Sequence, residues 1–285
     1  MDAASPPRAL GRTTETGAPL VYRHSLTTRL THWLGSLAFL VLVMSGLQIF
    51  NASPNLDASD KSNPAKRVLS IGAEQGPGGQ ARGYLQLFGL RFGTTGLLGY
   101  TDDGQGGQTE RAFPGWSTLP GFQDLATGRR WHLFFAWILV AAGAAYFIAG
   151  IRRKDLGLIV LRPSDLPKLL PMQLYYLRLR KEPPPHGKYN PLQKAAYTAV
   201  LFVFSPLIVI SGLALSPGID AFAGPLTTLL GGRQFARLWH FVATFALLGF
   251  VAVHLMLVLS TGFFNNMRSM LSGTYRPHAG EGSGP

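Results

Sequence analysis

A four-helix integral membrane bundle is the fold class predicted for this 285-residue chain, and three observations predict it. Hydrophobic residues make up 47% of the sequence and charged residues only 14%, which is the composition of a membrane protein. The apolar residues gather in four blocks, each near the roughly 20 residues that a bilayer span needs. Each block is nearly free of charge, so each reads as a helix whose backbone groups bond internally.

The elements follow in order. Residues 1–20 read as a disordered cytoplasmic tail. No hydrophobic signal region or small-residue cleavage site precedes the first span, 33–50, which is therefore expected to act as an uncleaved insertion signal. Residues 51–130 form a connection far longer than a turn, rich in Gly, Pro and aromatic residues, and such length points to function or to an insertion. Within it, Thr101 to Arg111, with Asp102-Asp103-Gly104-Gln105-Gly106-Gly107, is polar enough for a mobile tip. A β-hairpin fits around Val68 to Tyr100. Tyr84 to Phe92 and Phe113 to Leu125 carry enough apolar side chains to cover the end of the bundle or meet a partner.

The second span is 131–151, and the connection after it, 152–194, is basic. Its Leu174-Tyr175-Tyr176-Leu177 segment suits a helix at an anionic lipid surface. Pro183, Pro184 and Pro185 end any helix before His186. The third span, 195–215, contains Pro206, where a kink is expected. The fourth span is 238–264, and 271–285 reads as a second flexible cytoplasmic tail. Residues 21–270 thus make one bundle domain with an external insertion.

Net charge is +12, but in a membrane protein its distribution carries the meaning. Sixteen of the 26 Lys and Arg, and six of the fourteen Asp and Glu, fall on the side that holds both termini and the 152–194 connection, a net +10 against +2 on the other side. The positive-inside rule then places both termini in the cytoplasm and the 51–130 insertion outside, and it removes nucleic acid as the meaning of the charge.

His240 and His254 share the fourth block at a spacing of fourteen residues, which returns a side chain to nearly the same helix face about 21 Å further on. His132 opens the second span and His32 precedes the first. With the predicted topology only one pairing matches depths: His132 with His240 towards the outside, and His32 with His254 towards the cytoplasm. A lone membrane histidine can equally bond a neighbouring helix. Four that pair by depth suit two bis-histidine haem sites. Cysteine is absent, which removes iron–sulfur clusters, disulfides and covalent haem attachment, so each haem is expected to be b-type. Gly46, fourteen residues after His32, would admit a porphyrin at the outer level or simply allow close helix packing.

Four motifs, Arg29-Leu30-Thr31-His32-Trp33, Gly128-Arg129-Arg130-Trp131-His132, Lys188-Tyr189-Asn190-Pro191-Leu192-Gln193-Lys194, and Trp239-His240 with His254, extend over most of the chain. On these residues the chain resembles the b-type cytochrome membrane subunits of nickel hydrogenase, membrane formate dehydrogenase and thiosulfate reductase. The likeness is strongest to the branch that accompanies periplasmic molybdopterin oxidoreductases. The resemblance implies that the four histidines ligate two haems b in the pairing above, and that Asn190 and Gln193, with His254, contribute to a quinone site near the inner haem. Between Asn190 and Gln193 this chain carries Pro191 and Leu192 where the formate dehydrogenase subunits carry small residues. Asn190 also reads as a helix N-cap before Pro191 at the first helical position.

The expectation is a multi-pass protein of the bacterial inner membrane that moves electrons between quinone and an extracytoplasmic redox subunit, a molybdopterin oxidoreductase by resemblance. Membrane lipid is its other partner. Arg129, Arg130 and Arg237 stand where they can neutralise propionates of the outer haem and Arg29 those of the inner one, although interfacial snorkelling accounts for each arginine singly. Two other readings stay open: a stand-alone cytochrome b561-like oxidoreductase acting on superoxide or a ferric chelate, and a haem-free anchor or transporter.

Overall fold

The computed structural model of the protein describes residues 20–276 apart from 155, 188 and 223. The expected tails at 1–19 and beyond 276 lie outside the described residues. Among the described residues, four helices are long and apolar enough to cross a membrane. The first, α1, is Leu26–Phe50, and the second, α2, is Leu125–Arg153. A short helix α3, Leu169–Tyr176, lies in the basic connection. The third and fourth spans are α4, Pro191–Leu215, and α5, Arg233–Ser260.

Each span starts four to seven residues before its apolar block; polar caps extend three of them outwards, while α5 begins after Gly232 with no side-chain cap. Ser25 accepts the Thr28 N–H at 3.2 Å and Asp124 accepts the Thr127 N–H at 3.0 Å. Asn190 and Gln193 cap α4 reciprocally, with Pro191 at the first helical position. Pro206 lacks the N–H that would bond the preceding turn, and that turn, Val200–Phe204, is a π-helix, so the expected kink takes the form of a π-bulge. The fourth span ends earlier than its apolar run. Gly262, with φ 101°, breaks it, and a separate amphipathic helix α6, Phe263–Ser272, follows.

Beyond α6 the chain is neither loose nor extended away from the bundle up to its last described residues. Strand β1, Val21–Tyr22, pairs antiparallel with β8, Thr274–Tyr275, so both ends of the described chain meet on one side of the bundle. That side also holds the basic connection, since Arg153 at the end of α2 donates to Ser25 Oγ at 3.0 Å. We call it the basic side and the opposite one the insertion side.

The spans pack as two hairpins, α1 on α2 and α4 on α5. Small residues fill the seams: Ala38, Ser45, Ala142, Ser211, Ala236 and Ala243 are all buried. Most other span side chains are half-buried or exposed.

The insertion is a folded β unit. Strands β2 (Asn55–Asp57), β3 (Arg67–Gln75), β4 (Ala81–Leu87) and β5 (Leu90–Gly93) form an antiparallel sheet in that order. A second hairpin joins β6 (Gly99–Asp102) to β7 (Gln108–Arg111). This corrects the reading of Thr101 to Arg111 as a mobile tip, because Thr101 and Arg111 are buried at the hairpin base. The insertion's core of Ile71, Ala112 and Phe113 packs onto Leu47 and Phe50 of α1 and Phe241 of α5. An apolar roof therefore closes the insertion end of the bundle.

Candidate functional site

The helices bring four of the candidate residues together as two pairs. The imidazole centroids of His132 on α2 and His240 on α5 are 6.1 Å apart, and those of His32 on α1 and His254 on α5 are 6.4 Å apart. The first pair lies towards the insertion side and the second towards the basic side, which is the depth-matched arrangement expected. Two imidazoles that bind one metal ion from opposite sides, at about 2.0 Å per metal–nitrogen bond, hold their centroids about 6.3 Å apart. Both pairs fit that spacing. Among the described residues no group of three or more metal-type ligands exists, so two-histidine sites are what the bundle offers.

The insertion-side pair is oriented by its surroundings. His132 Nδ1 lies 3.1 Å from the Leu42 carbonyl and 3.2 Å from Ser45 Oγ. A carbonyl only accepts, so Nδ1 donates and Nε2 keeps the lone pair that a metal needs. Ser211 Oγ gives its own hydrogen to the Leu207 carbonyl at 2.6 Å and faces His240 Nδ1 at 3.0 Å, which sets the same tautomer. Gly46 and Gly212 make room for the rings. A Cβ at Gly46 would stand 3.2 Å from His132 Cε1, and one at Gly212 would stand 3.3 Å from His240 Cε1. What Gly46 clears in this structure is therefore the imidazole across the helix seam.

These contacts expose an internal repeat. Ser-Gly-Leu occurs at 45–47 on α1 and at 211–213 on α4, and Arg-x-Trp-His occurs at 129–132 on α2 and at 237–240 on α5. Each hairpin contributes one histidine, held by the Ser-Gly of its own preceding helix. Sequence reasoning missed Ser45, Ser211 and Gly212, although the doubled motifs were there to find them. The basic-side pair lacks this frame. His32 Nδ1 is buried without a partner among the described residues, and the His254 ring stacks on Phe250 at 5.9 Å.

The remaining candidates have mixed placements. Arg237 donates to the Ser53 carbonyl at 2.7 Å and to Gln234 at 3.0 Å, tying α5 to the end of α1. Arg29 donates to the Leu271 carbonyl. Arg129 and Arg130 are exposed at the insertion end of α2. Asn190 and Gln193 are committed to their reciprocal cap at 2.9 and 3.1 Å, and Asn190 Nδ2 donates to Tyr176 Oη at 3.1 Å. The Gln193 side-chain amide nitrogen keeps its donors free among the described residues. The aromatic trio expected to meet a partner divides. Phe113 is 9% exposed and stacks edge-on against Phe50, whereas Trp116 at 72% and Phe122 stay at the surface. The correction for Phe113 has a plain cause: Asn51 clamps its backbone N–H at 2.8 Å and turns the ring onto α1.

Arg111 is the other residue that sequence reasoning missed. It is 2% exposed and donates to the carbonyls of Asp103 and Gly121, to Thr118 Oγ1 and to Gln48 Oε1, all within 3.1 Å. Gln48 lies one turn beyond Ser45 on α1 and against Gly128, one turn before His132 on α2. The guanidinium thus sits in the layer directly above the insertion-side pair. It forms no ion pair with Asp102 or Asp103, whose charges nonetheless face it.

The prokaryotic cytochrome b561 family matches residues 23–273. A chain of Azospira oryzae, provisionally named protein-methionine-sulfoxide reductase subunit YedZ1, is 32% identical over 237 residues, covering 82% of this chain and 89% of that one.

Proposed function

Because the chain belongs to the prokaryotic cytochrome b561 family, and is a haem b membrane protein of bacterial type, we propose that it carries electrons across the membrane between a quinone and an extracytoplasmic redox subunit. The two histidine pairs, with centroids 6.1 and 6.4 Å apart, carry this reading. His132 and His240 would hold one haem b and His32 and His254 a second. Bound there, haem supplies reversible one-electron chemistry at iron.

The chain's own residues supply orientation, charge and exclusion of water. Ser45 and Ser211 fix the imidazole tautomers, and the Phe113, Phe50 and Phe241 roof keeps water from the insertion-side pair. Arg129 and Arg130, exposed at that end of α2, would meet propionates of the haem there. Arg29, bonded through one Nη to the Leu271 carbonyl, has its Nε–H buried without a partner among the described residues and would turn it to an inner propionate, and Arg237 would add a propionate to the bonds it already makes. At the basic side the free Gln193 amide is the better donor to a quinone carbonyl. Asn190 would act by holding the cap beside it.

The charge bias puts the basic side and both termini in the cytoplasm and the insertion outside. The proposed outer partner is a molybdopterin oxidoreductase. The resemblance supports it, and so does the relative named as a reductase subunit. Exposed Trp116 and Phe122 mark the insertion surface where it would sit. The same roof weighs against a stand-alone enzyme, since a small oxidant would have to cross it.

Affinity purification from native membranes tests the reading. A molybdopterin subunit is expected to accompany the wild-type chain and to be lost from Trp116→Ala/Phe122→Ala. Retention in that variant would move the interface, and recovery of a haem protein with no redox subunit from every preparation would contradict the proposal.

A further inference from the structure

The chain reverses sharply just after α3. Arg178 adopts φ 59°, a left-handed conformation that costs energy in any residue but glycine. Its N–H bonds the Tyr175 carbonyl at 3.0 Å, and the N–H groups of Leu179 and Arg180 both bond the Leu174 carbonyl, at 2.9 and 3.2 Å. The curl gathers Arg178, Arg180 and Lys181 with Tyr175 and Tyr176 around an open cavity of about 550 Å³. Three like charges are brought together, which is unfavourable by itself. None of the three makes a hydrogen bond or ion pair with another described residue.

Two further observations set the depth of this cluster and the nature of its surroundings. Tyr176 accepts a hydrogen bond at 3.1 Å from Asn190, the N-cap of a membrane span, so the turn stands at the level where that span leaves the hydrocarbon. Leu177 and Leu179, which alternate with Arg178 and Arg180, are 57% and 73% exposed. Leucines turned outwards between cations at this depth match acyl chains below and phosphates above.

We propose that the turn at 175–181 is a binding site for the headgroup of an anionic phospholipid, with Arg178, Arg180 and Lys181 on the phosphate and Leu177 and Leu179 on the acyl chains. The tyrosines close the cavity wall. Tyr176 links the bound lipid to the Asn190 cap, so occupancy steadies the start of α4. The site requires neither the haem nor the quinone reading to be correct.

Native mass spectrometry of the full-length protein, titrated with phosphatidylglycerol and separately with phosphatidylcholine, tests it. Each cation near an anionic lipid surface contributes about fivefold in affinity, so Arg178→Gln/Arg180→Gln/Lys181→Gln is expected to weaken phosphatidylglycerol about a hundredfold and to leave phosphatidylcholine unchanged. Arg178→Gly suits the left-handed backbone and so keeps the fold, and it is expected to weaken phosphatidylglycerol about fivefold. A control, Lys61→Gln/Lys66→Gln on the insertion side, is expected to bind as wild type. Wild-type affinity in both site variants, equal affinity of the native protein for the two lipids, or full displacement of phosphatidylglycerol by equimolar inorganic phosphate would overturn the proposal.

Discussion

Ser45 and Ser211 occupy equivalent places in the two helical hairpins. Both are fully buried, both donate to the carbonyl four residues back at 2.6 Å, and each faces the Nδ1 of a histidine on the following span. The glycine after each serine leaves the space that the same imidazole fills. The insertion-side pair is thus built by one local device used twice, and the doubling makes its consequences testable on each half separately.

Ser211→Ala is expected to keep haem but to raise the potential of the insertion-side haem by about 40 mV, the one-electron equivalent of a hydrogen bond worth about 1 kcal/mol. Losing one acceptor on Nδ1–H, with the Ile208 carbonyl remaining, makes the imidazole a poorer donor to iron. Ser45→Ala should shift it in the same direction, because the carbonyls of Leu42 and Ile208, each three residues before its serine, stand by His132 and His240 alike. Gly46→Val and Gly212→Val should each displace a ring and remove this haem alone. Optical redox titration reads all four, and a loss of the basic-side haem instead would refute the assignment.

Arg111→Gln is expected to lower the midpoint potential of the insertion-side haem by removing a buried positive charge one turn above it. It should also destabilise the protein by roughly 3 kcal/mol, since four charged hydrogen bonds go with it. Arg111→Lys should restore most of the potential but little of the stability, because a single ammonium cannot span the same acceptors. An unchanged potential in the glutamine variant would place the guanidinium outside the reach of that haem.

Several of these residues were within reach of the sequence and others were not, for physical reasons. The histidine pairs were legible because helix geometry converts a spacing of fourteen into one face and a known depth. Arg111 was not, because a cation among glycines and acids looks the same in a solvated tip and at a buried hairpin base. Only the fold of 51–123 tells the two apart. Phe113 and Trp116 likewise share a composition and differ in whether Asn51 clamps the backbone beside them. The span ends were set too short because hydropathy stops at the last apolar residue, whereas Ser25, Asp124 and Asn190 carry the helices through polar turns.

Asp165 fastens the basic connection to α4. It pairs with Lys194 at 3.0 Å, and the Arg162 N–H with that ammonium holds its carboxyl below the usual carboxylate range. A depressed pKa contributes stability that is present above the unfolded carboxylate value, near 4, and lost as pH falls through the lower folded value. Limited proteolysis of 156–170 should therefore accelerate below pH 4 in the wild type. Asp165→Asn should cleave quickly already at neutral pH and show little further change on acidification; wild-type resistance in that variant would assign the attachment elsewhere.

Gln193→Ala is expected to slow quinol-linked haem reduction or oxidation about tenfold or more with both haem spectra intact. Asn190→Ala should combine a smaller kinetic effect with a loss of about 1 kcal/mol from the missing cap. Stopped-flow mixing with a quinol analogue reads the first and thermal unfolding the second. Wild-type rates in both would move the quinone away from the start of α4.

The central claim is that four histidines make two depth-matched haem sites, and haem quantification joined to redox titration of the four single alanine variants tests it most directly. The account predicts two haems b in the native chain, loss of the same one of them in His132→Ala and His240→Ala, and loss of the other in His32→Ala and His254→Ala. Retention of two low-spin haems in any of these variants, or loss of the same haem from His132→Ala and His32→Ala, would contradict it.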